Sequence, residues 1–471
     1  MRKFRLILSV GLVLAFLAAC APAATDVPQK TEEPAAATSV TTAPASDGSA
    51  TFDWKKYSGS TINVLLNEHP WQTGLKAVGI EKFEEKTGIK VNIQSFSEDL
   101  YWDKMEMALR SKESVADVFF YSMDGTGFAE YKAGVVTPLT QYINDPSMTA
   151  SDYDLADFPQ GFLDSATYDD GNLYAIPVTF ENYILFYNKS LVNQYLDGKL
   201  PTTMEELIAD ANLIKEKSNG EVSGAVVRGV RSLGVIDLMV GFVTNAWGTE
   251  AAPLPYNMFF DGNWDKPRAN DPRICEGLND YASLMKAGPI NIQSIDWYDA
   301  EQLFNQNKAA FFVDASLFGP TLEANGITPN NVGYMTLPVT KQTADSGSIT
   351  TQWMWGLGIP ANSQNKGPAW YFIQWATSPE IEPLIGAQTG GAPRTSSWSK
   401  ETYTSNLNPD YIKVVQQSMA TSRSAAMFYN GDAQIALPII DAVQAIYGGM
   451  DASTACDNLQ KQLIDLKLNP D

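Results

Sequence analysis

Trp353 and Trp355 are the pair whose type and spacing first point to chemistry. They stand two apart in Thr350-Thr-Gln-Trp-Met-Trp-Gly-Leu-Gly-Ile-Pro360, an extended stretch in which alternate side chains share a face. Two indoles on one face, followed by Gly356 and Gly358, make either a flat apolar platform or a packed core pair. Groups that ordinarily carry bond-making chemistry are few. His69 is the only histidine, so a multi-histidine metal site is excluded and any histidine-based triad would depend on that one ring. After Cys20 only Cys275 and Cys456 remain, too few for a zinc site. The chain contains no G-x-S-x-G, no Walker-type phosphate loop and no G-x-G-x-x-G. The Asp-rich stretches Ser151–Asp157 and Asp261–Asp265 lack the glycine and terminal glutamate of a calcium loop. Glu98-Asp99 reads as a helix N-terminus that favours negative charge rather than as a catalytic pair. No cofactor is expected.

Periodicity supplies the elements that position these residues. Ile62–Leu66, Ile89–Ile93 and Asp117–Tyr121 read as strands, and Trp71–Lys86 and Glu98–Ser111 as helices. Strand–helix–strand–helix–strand predicts a parallel, doubly wound α/β unit. Ligands in such sheets sit beyond the carboxyl ends of the strands, here Asn67–Trp71 and Tyr121–Gly125. The stretch Asp169–Lys189 organises the rest. Asp170-Gly171 is a turn, Leu173–Val178 a strand interrupted by Pro177, Thr179–Asn182 a polar break, and Tyr183–Tyr187 a second apolar strand. Such a joint is either a crossing between two units or an ordinary hairpin.

After it the pattern repeats. Thr203 and Glu206 have capping-box spacing at the start of a helix that Asn219-Gly220 ends. Ser223–Val227, Ala309–Val313 and Val332–Leu337 read as strands, and Asp237–Trp247, Arg273–Lys286, Tyr298–Asn307 and Pro368–Ala376 as helices. Gly390–Arg394 is a further irregular joint, and Val414–Met419, Ala433–Tyr447 and Thr454–Leu466 close the chain as helices.

At the N-terminus, Arg2, Lys3 and Arg5 precede an apolar run, Leu6–Ala18, too short to span a membrane and of the right length for a signal peptide. Leu17-Ala18-Ala19-Cys20 resembles a bacterial lipobox, in which Cys20 is lipidated and residues 1–19 are removed. Residues 20–58 are Ala-, Pro-, Thr- and Ser-rich and read as a flexible tether. The expected product is an extracytoplasmic, membrane-anchored lipoprotein at the cell surface or in the periplasm. A formal net charge of −21 makes nucleic acid a poor partner. Cys275 and Cys456 are either a disulfide or two separate buried thiols.

Several motifs, in order, now point one way. Glu81–Val91, Gly171-Asn-Leu-Tyr-Ala-Ile-Pro177 with Tyr187-Asn-Lys189, Pro201–Leu207, Phe304–Phe312, Gly358–Ser363 and Ala369–Glu380 resemble the extracellular solute-binding proteins of ABC sugar importers, the maltose-binding-protein-like family. Gln306-Asn307-Lys308 departs from the pattern, where the family usually has a glycine before the lysine. The resemblance implies a type II periplasmic-binding-protein fold: two α/β lobes, each a doubly wound sheet, joined by crossover hinge strands with a sugar or polyol between them. Lobe I would be about 59–179 plus 358–394, and lobe II about 182–350 plus 396–471. The implied role is non-enzymatic delivery to an ABC permease. The alternatives are an extracellular hydrolase using paired carboxylates, such as Asp124 with Glu181, and a receptor for a non-sugar solute. A sugar needs aromatic faces and planar polar groups around its rim. Expected platforms are Trp353 and Trp355, with Trp71, Tyr121, Tyr183 and Trp247. Expected rim groups are Asp124, Glu181, Asp314 and Arg394. For His69 the expectation is an ordinary loop histidine.

Overall fold

The computed structural model describes residues 51–471 except 250–257, 262–265, 326–329, 346, 388–389, 425–432 and 469–471. Cys20 and the signal and lipobox readings lie outside the described residues. Thr61–Asn67 (β1), Lys90–Phe96 (β2) and Val118–Ser122 (β3) are short runs rich in apolar and aromatic residues. β1 pairs in parallel with β2, from Thr61 opposite Lys90 to Asn67 opposite Phe96, and with β3 on its other side. Burial follows position: β3 is buried throughout, whereas β2 at the edge alternates exposed with half-buried residues.

The helix expected over Trp71–Lys86 is two helices, Pro70–Val78 and Glu81–Thr87. Gly79 separates them at φ +93°, a conformation that residues with a Cβ rarely adopt. Pro70 opens the first helix, where its missing N–H costs nothing. His69 caps it: Trp71 N donates to His69 Nδ1 at 3.1 Å.

The remaining strands are Ala175–Asn188 (β4), Ser223–Val226 (β5), Ala309–Ala315 (β6), Val332–Thr336 (β7), Thr351–Gly358 (β8) and Arg423–Ser424 (β9). The described strands form a single sheet of order β2-β1-β3-β8-β4-β6-β5, with β7 on β4 and β9 on β8. Instead of the two strands expected around Thr179–Asn182, β4 is one 14-residue strand. Thr179 to Asn182 pair antiparallel with Trp355 to Gln352, so these polar residues continue the ladder. The irregularity falls between Pro177 and Thr179, where proline has no N–H to give. From Tyr183 onward β4 pairs instead with β6 and β7. The strand therefore runs from one half of the sheet into the other, as a crossing and not as a hairpin. Gly391 lies beside it: Phe180 N donates to Gly391 O at 3.2 Å, and a Cβ on Gly391 would stand 2.3 Å from Phe180 O.

In the second half, Thr203 accepts from Glu206 N at 3.2 Å, while the Glu206 carboxylate reaches back to Thr202 rather than to Thr203. Ile236–Trp247 packs against Pro272–Ala287 so closely that a Cβ on Gly277 would lie 2.5 Å from Val243 Cα. Cys275 and Cys456 form a disulfide with Cα atoms 6.0 Å apart, joining Pro272–Ala287 to the last helix, Ala452–Leu466. Residues 52–57, assigned by composition to the tether, are folded. Phe52, Trp54 and Tyr57 pack around Tyr371, whose hydroxyl donates to Asp53 O at 3.0 Å. Three aromatic rings in an otherwise polar segment supply the apolar area its neighbours lack. Among the described residues no helix is long and apolar enough to cross a membrane.

Candidate functional site

The carboxyl ends of β1 and β3 meet the middle of β4 and β8, and buried polar groups gather there. Asp124 follows β3 on a short loop and is 3% exposed. Its Oδ1 accepts from Ser424 Oγ on β9, a contact that ties the loop to a strand far along the chain. Burial pushes the Asp124 carboxyl up to about 7, against hydrogen bonds from Ser424, the Met354 backbone and Ser165 that hold it down; nearby Glu181 adds to the rise.

Glu181 is the cross-strand partner of Trp353, and Tyr183 lies two residues further on the same face of β4. The Glu181 carboxylate is buried and its Oε1 lies 2.9 Å from His69 Nε2. Trp353 is half-buried, and a Cβ on Gly125 would stand 2.7 Å from its Cη2, so the indole lies close against the Asp124–Gly125 loop. Trp353, Asp124, Glu181 and Tyr183, four of the expected site residues, are thus brought to one joint.

A second cluster adjoins it. Arg228, just beyond β5, grips Asp314 near the end of β6 through Nε at 3.0 and 3.1 Å and through Nη2 at 2.5 Å. Nη1 donates to Gly234 O at 2.6 Å and lies 3.7 Å from Asp237 Oδ1. The guanidinium stands 5.6 Å from the Tyr183 ring centre. Burial pushes Asp237 well up, and charge on Asp314 and Glu181 adds to that; Asp314 is also raised by burial, against the pull of Arg228. Asp314, expected at a sugar's rim, is therefore engaged by an internal cation.

Buried polar atoms are normally paired. Asn67 Oδ1, Gln72 Nε2, Asp124 Oδ2, Tyr183 OH and Asp237 Oδ1 are buried and find no hydrogen-bond partner among the described residues. Asn67 ends β1, Gln72 opens the next helix, Asp124 follows β3 and Asp237 starts a helix. They lie at strand ends and helix starts, where an α/β fold holds its ligand.

The other expected residues are placed elsewhere. Trp355 is 3% exposed and stacks on Phe120 at 4.7 Å and on Trp102 at 5.4 Å. Trp71 is buried and stacks on Phe120 at 5.6 Å. Tyr121 is buried, donating to Gly127 O at 2.7 Å with Tyr168 OH 2.9 Å away. Trp247 lies under Arg273 at 3.7 Å and Arg268 at 4.8 Å. Arg394 has no exposed surface and donates to the backbone oxygens of Thr377, Asp154 and Tyr153, each at 2.7 Å. His69, Arg228, Asp237 and Ser424 also belong to these clusters, and the sequence reading names none of them as a candidate. For three of them a signal existed: His69 and Arg228 sit just past strand ends, and Asp237 at a helix start. Among the described residues no group of three or more His, Cys, Asp or Glu is arranged to hold a metal ion.

Known proteins agree with this architecture. The family model described as bacterial extracellular solute-binding protein matches residues 67–383. The erythritol/L-threitol-binding protein of Mycolicibacterium smegmatis is 29% identical over 440 residues, 88% of this chain and 88% of that protein. A solute-binding protein of Agrobacterium radiobacter K84, solved in complex with ribitol, superposes with a TM-score of 0.73 at 23% identity, covering 87% of this chain and 99% of that one. One from Thermotoga lettingae TMO, bound with alpha-D-tagatose, gives 0.72 at 20% identity, covering 87% and 100%. These two structures establish the fold: two α/β lobes with mixed sheets and crossover connections. With the family pattern running from the end of β1 past β8, the chain belongs to the bacterial extracellular solute-binding proteins.

Proposed function

We propose that this protein is an extracytoplasmic receptor that closes two lobes over a small polyol or sugar and delivers it to an ABC-type permease. The observation that carries the reading is the polar cluster at the joint, where acceptors outnumber donors. Asp124, Glu181, Asp237 and Asn67 offer carboxylate or amide oxygens, and their natural complement is a neutral molecule rich in hydroxyl donors. Buried carboxylates facing one another disfavour an anionic ligand. One half-buried indole, Trp353, offers a flat apolar face for C–H groups. That is enough for a short polyol chain and little for a long oligosaccharide. The tetritol-binding relative supports the same ligand class.

In this reading β4 and β8 are the hinge strands, with Gly391–Ser396 a third connection. The lobes divide at about residues 179–182, 350–358 and 394–396, and Cys20 carries the lipid that holds the receptor at the membrane. The test is a melting and calorimetry series on ligand-stripped protein with erythritol, L-threitol, ribitol, D-mannitol, maltotriose, amino acids and polyamines. At least one polyol should raise the melting temperature, since ligand at a hundredfold its Kd adds about 2.7 kcal/mol to the folded state. A response confined to amino acids or polyamines rejects the reading. Sustained hydrolysis of a labelled oligosaccharide, abolished by Asp124→Asn, would replace it with a paired-carboxylate hydrolase.

A further inference from the structure

We infer that His69 is a positioning residue for ligand binding: its Nε2–H holds the Glu181 carboxylate in place. The inference deepens the receptor reading, and rests on it only for its binding measurement. It begins with the cap. Trp71 N–H donates to His69 Nδ1 at 3.1 Å, so Nδ1 is the unprotonated nitrogen. In the neutral ring the proton then sits on Nε2, which lies 2.9 Å from Glu181 Oε1. One backbone hydrogen bond thus selects the tautomer that donates to the carboxylate. The ring is confined by its neighbours, with Phe120 at 5.4 Å and Trp355 at 6.2 Å between centres.

The contact joins distant parts of the fold. His69 stands between β1 and its following helix, whereas Glu181 lies on β4 one residue pair before that strand changes partners from β8 to β6. Glu181 Oε1 is occupied by His69, Oε2 makes no hydrogen bond to any described residue, and the side chain keeps 9% of its surface exposed. A carboxylate pinned by one oxygen presents the other in a fixed direction, so a ligand hydroxyl meets an acceptor already oriented. The charged groups around Glu181 are Asp124 after β3, Arg228 after β5, Asp237 at the start of its helix and Asp314 on β6. Arg228 is engaged by Asp314, and among the described residues His69 supplies the hydrogen bond to the Glu181 carboxylate.

Two substitutions separate the two nitrogens of the ring. Asn carries an acceptor near the Nδ1 position and is a strong N-cap, but it does not reach Glu181. Gln carries N–H groups near the Nε2 position and loses the short cap. The measurement is calorimetric affinity for the polyol that binds wild type best, with melting temperature read on the same samples. His69→Asn should melt as wild type and bind at least tenfold more weakly. His69→Gln should melt lower and bind within about threefold of wild type. Wild-type affinity in His69→Asn, or equal weakening in both variants, overturns the inference. A second readout needs no ligand. In untagged protein, nitrogen-15 labelling of histidine reports this one ring; a proton on Nε2 with Nδ1 bare is the expected state at neutral pH, and a proton on Nδ1 overturns it. Failure of polyols and sugars alike to bind wild type would reject the receptor reading, whereas a proton on Nδ1 would overturn this inference whatever the ligand.

Discussion

Trp353 and Trp355 share a face by spacing but not an environment. Trp355 is sealed in a stack with Phe120 and Trp102, whereas Trp353 is half-buried over the Asp124 loop. Trp355→Ala should therefore destabilise the protein by about 3–5 kcal/mol. Trp353→Ala should leave urea unfolding close to wild type and weaken ligand binding roughly tenfold or more, on the order of 1.4 kcal/mol. Equal losses of stability in both variants would show that Trp353 is also core. Asp124 yields a pH prediction. Its folded-state value of about 7 stands above the ordinary carboxyl value of about 3.9. Between those values the folded chain keeps a proton that the unfolded chain has released. The contribution of Asp124 to stability is thus present below about pH 4 and lost as pH rises towards 7, by up to about 1.4 kcal/mol per pH unit. Asp124→Asn should remove that part of the slope in a series of urea melts, and an unchanged slope would exclude Asp124 as its source. Glu130 and Glu382, also pushed to about 7 by burial, act in the same direction and remain in the variant. Ligand hydroxyls favour the ionised carboxylate, so affinity should climb as pH is raised towards 7 from below.

Among elements, periodicity located most strands and helices to within a few residues, because burial on one face leaves its mark on local sequence. It misread β4. Polar residues at Thr179–Asn182 look like an interruption, yet the backbone ladder with β8 does not require apolar side chains, and those positions serve the joint. The helical pattern runs through Gly79 without a break, because one glycine does not declare its φ. Local sequence leaves the pairing of Cys275 with Cys456 open, since residues separated by 181 positions carry no local sign of contact. Reducing it should lower stability by about 2–4 kcal/mol, towards the upper end for so long a loop. Urea melts with and without reductant measure this, and thiol labelling of the denatured, unreduced protein should leave Cys275 and Cys456 unmodified; two labelled cysteines there would reject the bond.

For the whole molecule, β4 is continuous from the half of the sheet where it pairs with β8 into the half where it pairs with β6 and β7, with Gly391 against Phe180 beside it. Closure about these strands should shrink the radius of gyration when saturating polyol is added to stripped protein. A scattering profile unchanged by a ligand that calorimetry shows to bind would count against hinge motion. Replacing Cys20 with Ser should move the protein from membranes to the soluble fraction, because lipid on that thiol is the proposed anchor. Continued sedimentation with membranes would refute the lipobox reading.

The sequence by itself determined the family and the two-lobed α/β class. Those depend on local pattern: periodic burial, turn residues and motifs a few residues long. It also pointed to Asp124, Glu181, Tyr183 and Trp353, each near a strand end or a crossing. Tertiary structure alone decided which groups are already occupied. Asp314 is gripped by Arg228, Arg394 by three backbone carbonyls and Trp355 by two rings, each through contacts between distant segments. The same holds for His69, which meets Glu181, 112 positions away in the chain. A side chain's type states what it can bond, but its available atoms depend on which neighbours folding brings within about 3 Å.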